Sequence, residues 1–473
     1  MDDHREPPED VDRWLHERID PLPPPPGTFD LIKRRVRRRR YRQVAVSAAV
    51  AAAVAAAVVV VPRVATSVLN VNQNPTSNSA ASARSATPSA PLQGPNKAPG
   101  GTSESNSASP APTSPAPVPA NFEPTSATFI GLHTGWVIGQ AGTPGHCSTQ
   151  YCTSIARTTD AGQTWTGSPA PLTGAPDGAS GVGQVRFLNA SDGWAFGPEL
   201  FATTDGGQHW TGETTGGQRV TDLETVGNRA YAIWATCTGT GTDFAASCAS
   251  FSLYSTPAGQ DAWAPVSGAT NLSDNGQASS ASLVLTSSQG YLLAPDGSVY
   301  AGPVDGSGSW RQVSADPAGM SCAPGAPQAS GQPSGAALAA ASATSLVLDC
   351  NRLAGSNSTT RLFASSDGGK AWQPAGPVFS NTVTAAAAQP DGLVVLATTV
   401  GLLVLHDITV SHDGSFDLRQ ATLGAAAPTG GFSWVGMTSE SQGIAVAADA
   451  TQHQLWFTFN GGQSWSPSKV SAP

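Results

Sequence analysis

The chain has 473 residues, with only 12% charged side chains, 51 glycines and 38 prolines. This composition excludes a coiled-coil or long-helix protein and points to turns, short strands and polar low-complexity stretches. The formal net charge of −9 is unevenly spread: residues 31–43 hold eight basic groups and no acid, whereas residues 64–473 hold 12 basic and 24 acidic groups, which excludes nucleic-acid binding through bulk charge for most of the chain.

Residues 1–43 read as a cytoplasmic tail. DVDRWLHERIDPL offers a short helix around Trp14, Leu15 and Ile19, and PLPPPPG breaks it. The tail ends in a basic juxtamembrane cluster from Lys33 to Arg42, which suits either anionic headgroups or a cytoplasmic partner.

Residues 44–64 read as a transmembrane helix. Val44 to Val61 is an 18-residue run without a charge, Ser47 is its only polar side chain, and Pro62 and Arg63 end it. A helix rising about 1.5 Å per residue barely spans a hydrocarbon core of about 30 Å at that length. The alternative is a cleaved signal peptide. Against it stand the long segment before the run and the length of the run itself. The basic cluster on the N-terminal side orients the span with the N-terminus in the cytoplasm and the remainder outside. The membrane is therefore one expected partner.

Residues 65–120 are dominated by Ser, Ala, Pro, Thr and Gly and read as a disordered stalk, since they offer too little apolar surface to offset the entropy of ordering.

Residues 121–473 read as the folded ectodomain. Within them one phrase recurs: TTDAGQTW at Thr158–Trp165, TTDGGQHW at Thr203–Trp210, SSDGGKAW at Ser365–Trp372 and TFNGGQSW at Thr458–Trp465. Each copy follows an apolar stretch and leads into another, which is a β-hairpin written out. The carboxylate (Asp160, Asp205, Asp367) or its amide substitute (Asn460) accepts backbone N–H groups in the turn. Gly162, Gly207, Gly369 and Gly462 allow positive φ. Trp165, Trp210, Trp372 and Trp465 open the returning strand as apolar plates.

Upstream of the phrase stand further strand–turn–strand signals, such as FIGLHTGWVIG and FLNASDGWAFG, so the unit is four short strands. Degraded copies close at Trp263, Trp310 and Phe416. With these the closing aromatics fall at 165, 210, 263, 310, 372, 416 and 465, a period of about 50 residues. Seven such units predict an all-β, seven-bladed β-propeller of four-stranded blades. Only Ser466 to Pro473 follow Trp465, so no C-terminal strand is expected to exchange with the first blade, and residues before Thr125 are the alternative source of a closing strand.

The six cysteines, Cys147, Cys152, Cys237, Cys248, Cys322 and Cys350, all lie beyond the membrane segment, which favours disulfides. Of the 15 possible pairings, the repeat selects Cys147–Cys152, Cys237–Cys248 and Cys322–Cys350, each within one unit. A metal site would need tighter thiolate spacing. His146 beside Cys147 is its only hint, so neither metal nor cofactor is expected.

The phrase resembles the Asp-box, or BNR repeat, of the sialidase-like β-propeller superfamily. The repeated GW-xx-G strand is similar to that of photosystem II assembly and stability factor-like propellers. The resemblance implies the fold. It also implies that the turns sit on the outer rim, away from the ligand face, and it leaves function open. A sialidase would need three convergent arginines and a Tyr–Glu pair. Arg157, Arg186, Arg219, Arg229, Arg311, Arg352, Arg361 and Arg419, with Glu123, Glu199, Glu213, Glu224 and Glu440, show no such pattern. Asp222, Asp296 and Asp391 are further carboxylates, the last two in PDG turns where a structural role is expected. No catalytic residue is assigned.

The expected function is a membrane-anchored, extracytoplasmic, non-catalytic scaffold that binds a protein or envelope glycan. The alternative is a glycoside hydrolase of the Asp-box superfamily. Clustered buried carboxylates with an arginine on the central face would favour the hydrolase.

Overall fold

The structure, a computed structural model, describes residues 116–141, 152–174, 181–237, 248–273, 281–315, 337–354, 357–406 and 417–471. All fall within one of two units, Asn106–Pro473. The tail, the membrane segment and most of the stalk lie outside the described residues. Among the described residues no helix is long and apolar enough to cross a membrane.

Seven sheets succeed one another along the chain, each built on four antiparallel strands in sequential order. Blade 1 comprises Glu123–Phe129, Gly135–Ala141, Cys152–Thr158 and Thr166–Ser168; blade 2 comprises Gln184–Phe187, Gly193–Phe196, Leu200–Thr203 and Thr211–Gly212. Blade 3 is Arg219–Val226, Arg229–Cys237, Cys248–Pro257 and Ala264–Pro265; blade 4 is Ser282–Leu285, Gln289–Leu293, Val299–Pro303 and Arg311–Ser314. Blade 5 is Leu338–Ala340, Leu346–Ala354, Asn357–Ser365 and Gln373–Pro374; blade 6 is Val383–Ala388, Val394–Thr398, Gly401–His406 and Asp417–Gln420. Blade 7 is Phe432–Met437, Gly443–Ala447, Gln454–Thr458 and Ser464–Lys469. Short extra strands join two blades: Leu272–Ser273 pairs with the third strand of blade 3, and Thr422–Leu423 runs parallel to the outer strand of blade 7.

The first strands of successive blades lie against one another and surround the axis, and that of blade 1 lies against blade 7. The chain is thus a seven-bladed β-propeller. Second strands are covered on both faces by neighbouring blades: Gly193–Phe196, Val394–Thr398 and Gly443–Ala447 are buried throughout. Hence they read as continuous apolar runs rather than as alternating ones.

Each closing tryptophan packs against the blade before its own. Trp210 packs against the cluster that holds Trp136 and Ile138 of blade 1, Trp263 meets Trp194 of blade 2, and Trp310 meets Tyr231 of blade 3. Trp372 packs on Leu293 of blade 4 and Trp465 on Val395 of blade 6. Trp165 packs on Leu455 and Phe457 of blade 7 and so bridges the seam between the last blade and the first. Phe416 lies outside the described residues. Among the described residues six of the seven blades share the wedge position, and each wedge removes a large apolar area from water at a junction that a lone sheet would leave exposed.

Among the described residues no strand of blade 7 pairs with a strand of blade 1, so the two blades meet there by packing. Residues before the first strand contribute to that closure. Val118 and Phe122 are buried in the seam, and Ala116 pairs with Gly167 on the outer strand of blade 1.

Four first strands skip one residue in pairing with their second strands, at Thr125, Thr221, Thr384 and Ser433. A bulge leaves such a residue without a ladder partner, and here its hydroxyl supplies one. Thr125 donates to Gly183 O at 2.7 Å, and Thr384 to Phe432 O, so each reaches the next blade.

Candidate functional site

The four repeated turns form as their residues dictate. In blade 2 the Thr203 hydroxyl donates to Asp205 at 2.9 Å and accepts the Gly207 N–H at 3.0 Å, while Asp205 accepts the N–H groups of Gln208 and His209. Thr158 with Asp160 and Ser365 with Asp367 repeat this arrangement. In blade 7 Asn460 takes the same position: its Oδ1 accepts from the Thr458 hydroxyl and from Ser464 N–H, each at 3.0 Å. Gly162, Gly207, Gly369 and Gly462 have φ between +83° and +89°. His209 and the turn N–H groups hold the Asp205 carboxyl at about 2, below the usual carboxylate range.

These turns are spread around the ring, one to a blade, and the structure does not bring them together. They do, however, brace the turns that join first and second strands. Backbone N–H groups of Ala161, Gly206, Gly368 and Gly461 donate to His133, Ser191, Thr344 and Ser441 of their own blades at 2.9–3.0 Å. Both kinds of turn therefore lie at one end of the propeller. The second-to-third strand connections, and those between blades, lie at the other. That second end carries the disulfides. Cys237 is bonded to Cys248 across the hairpin of blade 3, as the repeat predicted. Cys152 and Cys350 are disulfide-bonded as well; Cys147 and Cys322 lie outside the described residues.

A cavity of about 640 Å³ opens at the first of these ends, where the turns after Leu285, Ala340, Ala388 and Met437 of blades 4 to 7 meet. The space exists because alanines stand there, at positions 340, 341, 343 and 388, where larger side chains would fill it. Two of its serines serve their own turns: Ser342 accepts the N–H groups of Thr344 and Ser345, and Ser439 those of Ser441 and Gln442. Glu440 is the only titratable side chain in the lining. The resemblance placed the repeated turns away from the ligand face. Here cavity and turns share one end, with the turns outside the lining.

Along the channel the blades 1 to 3 side differs. Arg186 sits on the first strand of blade 2 between buried Val185 and Phe187. Its Nε and Nη2 both donate to Glu224 Oε1 at 2.9 Å, and its Nη1 donates to Ser126 Oγ at 3.2 Å and to Val185 O at 2.9 Å. Its guanidinium lies 5.4 Å from the ring centre of Trp434, on blade 7. Asp222, two residues from Glu224 and so on the same strand face, accepts Leu223 N–H at 2.9 Å and Leu283 N–H of blade 4 at 2.8 Å. Burial and the neighbouring Glu224 push its carboxyl up to about 7. Sequence reasoning had named Arg186, Asp222 and Glu224 but had not joined them, and it had missed Ser126 and Trp434. The available signal was charge inside short strands, which demands a partner once buried.

Other named residues take structural places. Asp296 and Asp391 accept backbone N–H groups within their own turns. Arg157 lies 5.1 Å from the ring centre of its cross-strand neighbour Trp136. No group of three or more His, Cys, Asp or Glu among the described residues is placed to hold a metal.

The fold and the two channel features define a propeller with an axial cavity. No family model matches the chain, and no curated protein matches it. It is similar to several solved propellers. A structure described as YCF48 bound to D1 peptide is 18% identical, covering 73% of this chain and 96% of that one, with a TM-score of 0.45. YCF48 from Cyanidioschyzon merolae is 14% identical over 60% of this chain and 85% of that one, at 0.38. The GH74 xyloglucanase from Xanthomonas campestris is 13% identical over 72% of this chain and 60% of that one, at 0.41. Likeness at this level assigns no function.

Proposed function

We propose that this chain is a membrane-anchored, extracytoplasmic propeller that binds a protein or an envelope glycan at its axial cavity without chemistry, and that its repeated turns are Asp-boxes of the sialidase-like type. The observation that carries the reading is the composition of the cavity. Its lining offers small apolar groups, turn backbone and hydroxyls, with one carboxylate and no arginine, lysine or histidine. Hydrolysis of a glycoside needs two carboxyls across one sugar, and this lining has no second one. The anchor rests on the apolar run at residues 44–64 and its basic flank.

A second reading, glycoside hydrolysis, is favoured by Arg186, Asp222 and Glu224. In that cluster both Asp222 oxygens accept backbone N–H groups, and the arginine is engaged by Glu224, Ser126 and Val185. The groups are committed to holding blades together.

The test places a photo-crosslinking amino acid at Thr438, in the cavity lining, and at Leu172, which is exposed and distant in sequence. The full chain is then irradiated in its own membranes. A discrete adduct from position 438 alone is expected. Adducts only from position 172 would remove the cavity from consideration. Hydrolysis of a fluorogenic glycoside panel by the purified chain, abolished by Glu224→Gln, would install the second reading.

A further inference from the structure

We propose that Asp222, Glu224 and Arg186 form a proton-binding site in the central channel, which clasps the first strands around it more tightly as the surroundings acidify. The cluster joins five blades. Ser126 comes from blade 1, Arg186 from blade 2, Asp222 and Glu224 from blade 3, the Leu283 N–H from blade 4 and the Trp434 ring from blade 7. No other charged group among the described residues takes part: blades 1, 4 and 7 contribute a hydroxyl, a backbone N–H and an aromatic face.

Two carboxylates thus face one guanidinium in a partly enclosed channel, which leaves one uncompensated negative charge. Arg186 cannot give up its proton, and its donors are directed at Glu224, so the spare charge resides on Asp222. A proton taken from water onto one Asp222 oxygen neutralises the cluster. A carboxyl oxygen carries two acceptor sites, so the protonated side chain still accepts from Leu223 and Leu283, and both links survive. The ordinary value of an exposed aspartate, about 4, describes the unfolded chain. The folded chain therefore holds a proton that the unfolded chain releases. With the folded value raised, stability from this group is fully present below the unfolded value and is lost as pH rises through the folded one.

The experiment labels the full chain with ¹³C at the aspartate carboxyl carbons and follows their shifts with pH. One resonance, absent from Asp222→Asn, should titrate near neutrality. In Glu224→Gln, which removes the neighbouring charge and frees Arg186, its midpoint should fall by at least about one pH unit. A purely structural aspartate would show neither effect. The wild-type melting temperature should rise from pH 8 to pH 5 more steeply than that of Asp222→Asn. Should Asp222→Asn fail to fold, the resonance is assigned by its displacement in Glu224→Gln. The proposal is overturned if the resonance lost in Asp222→Asn titrates in the ordinary range, or if no raised resonance moves in Glu224→Gln; Asp349, two blades away from Glu224, is the raised aspartate that should stay in place in both variants.

Discussion

His453 Nδ1 lies 3.0 Å from the carbonyl oxygen of Phe122, on the seam where the last blade meets the first. The two residues stand 331 positions apart, and their contact belongs to the packing that joins the last blade to the first. His453 reaches this place from a left-handed backbone at φ +56° that ends a short 3-10 turn. The ring is therefore held at the junction of its last and first blades by a strap ahead of blade 1 and a turn within blade 7.

The first prediction follows from that strap. Phe122 is fully buried between blades 1 and 7. Phe122→Ala should cost about 3–5 kcal/mol, the range for truncating a buried phenylalanine. Chemical denaturation of the full chain measures the loss. A change below about 1 kcal/mol would show that the seam holds without the strap.

A second prediction concerns the wedges. Trp465 is fully buried against blade 6, and its indole N–H donates to Gly462 O at 2.8 Å. Trp210 is only partly buried and donates to Pro169 O at 3.0 Å. Trp465→Ala should lower the melting temperature more than Trp210→Ala, because its removal leaves a larger closed cavity. Equal shifts would show that burial does not set the strength of a wedge.

The turns supply a third. Thr203 is buried, and its hydroxyl accepts the Gly207 N–H. Thr203→Val keeps the shape but leaves that buried donor unpaired, at about 1–3 kcal/mol. Thr203→Ser keeps the hydroxyl and should restore most of the loss, as Ser365 holds the same role in blade 5. Gly462→Ala should also destabilise, since φ is +83° and a Cβ would stand 2.7 Å from Val395 Cγ2.

A fourth prediction rests on Asp349, which is fully buried in blade 5 and accepts from Ala337 N–H and Asn351 Nδ2. Burial raises its carboxyl well above the ordinary value. The folded chain then keeps a proton that the unfolded chain gives up above about 4. Stability from this group is complete below that value and declines as pH rises. Asp349→Asn, which cannot titrate, should flatten this part of the pH dependence of thermal melting. An unchanged pH dependence would mean that Asp349 is ionised in the fold.

Much of this molecule is written locally. The eight-residue phrase contains the hydroxyl, the carboxylate and the glycine that bond to one another within each turn, so its hairpin was legible without a structure, including the Asn460 variant. The spacing of the closing aromatics gave the blade count, because each blade must bury a plate against its neighbour. The bridge between Cys237 and Cys248 was legible because both ends lie in one hairpin. The Thr125, Thr221, Thr384 and Ser433 bulges were not. A hydroxyl inside a strand looks the same whether it is paired, exposed or reaching the next blade.

Only the tertiary structure decided what the axis contains. Arg186 meets Glu224 across 38 positions and Ser126 across 60, and no local rule links residues so far apart. The cavity at blades 4 to 7 likewise draws on alanines of two blades, Ala340, Ala341 and Ala343 of blade 5 and Ala388 of blade 6, each unexceptional alone. Turn chemistry acts between near neighbours in the chain, and so the sequence by itself determined the blades. Charge pairing and empty space act between neighbours in space, and those were set only when the blades closed into a ring.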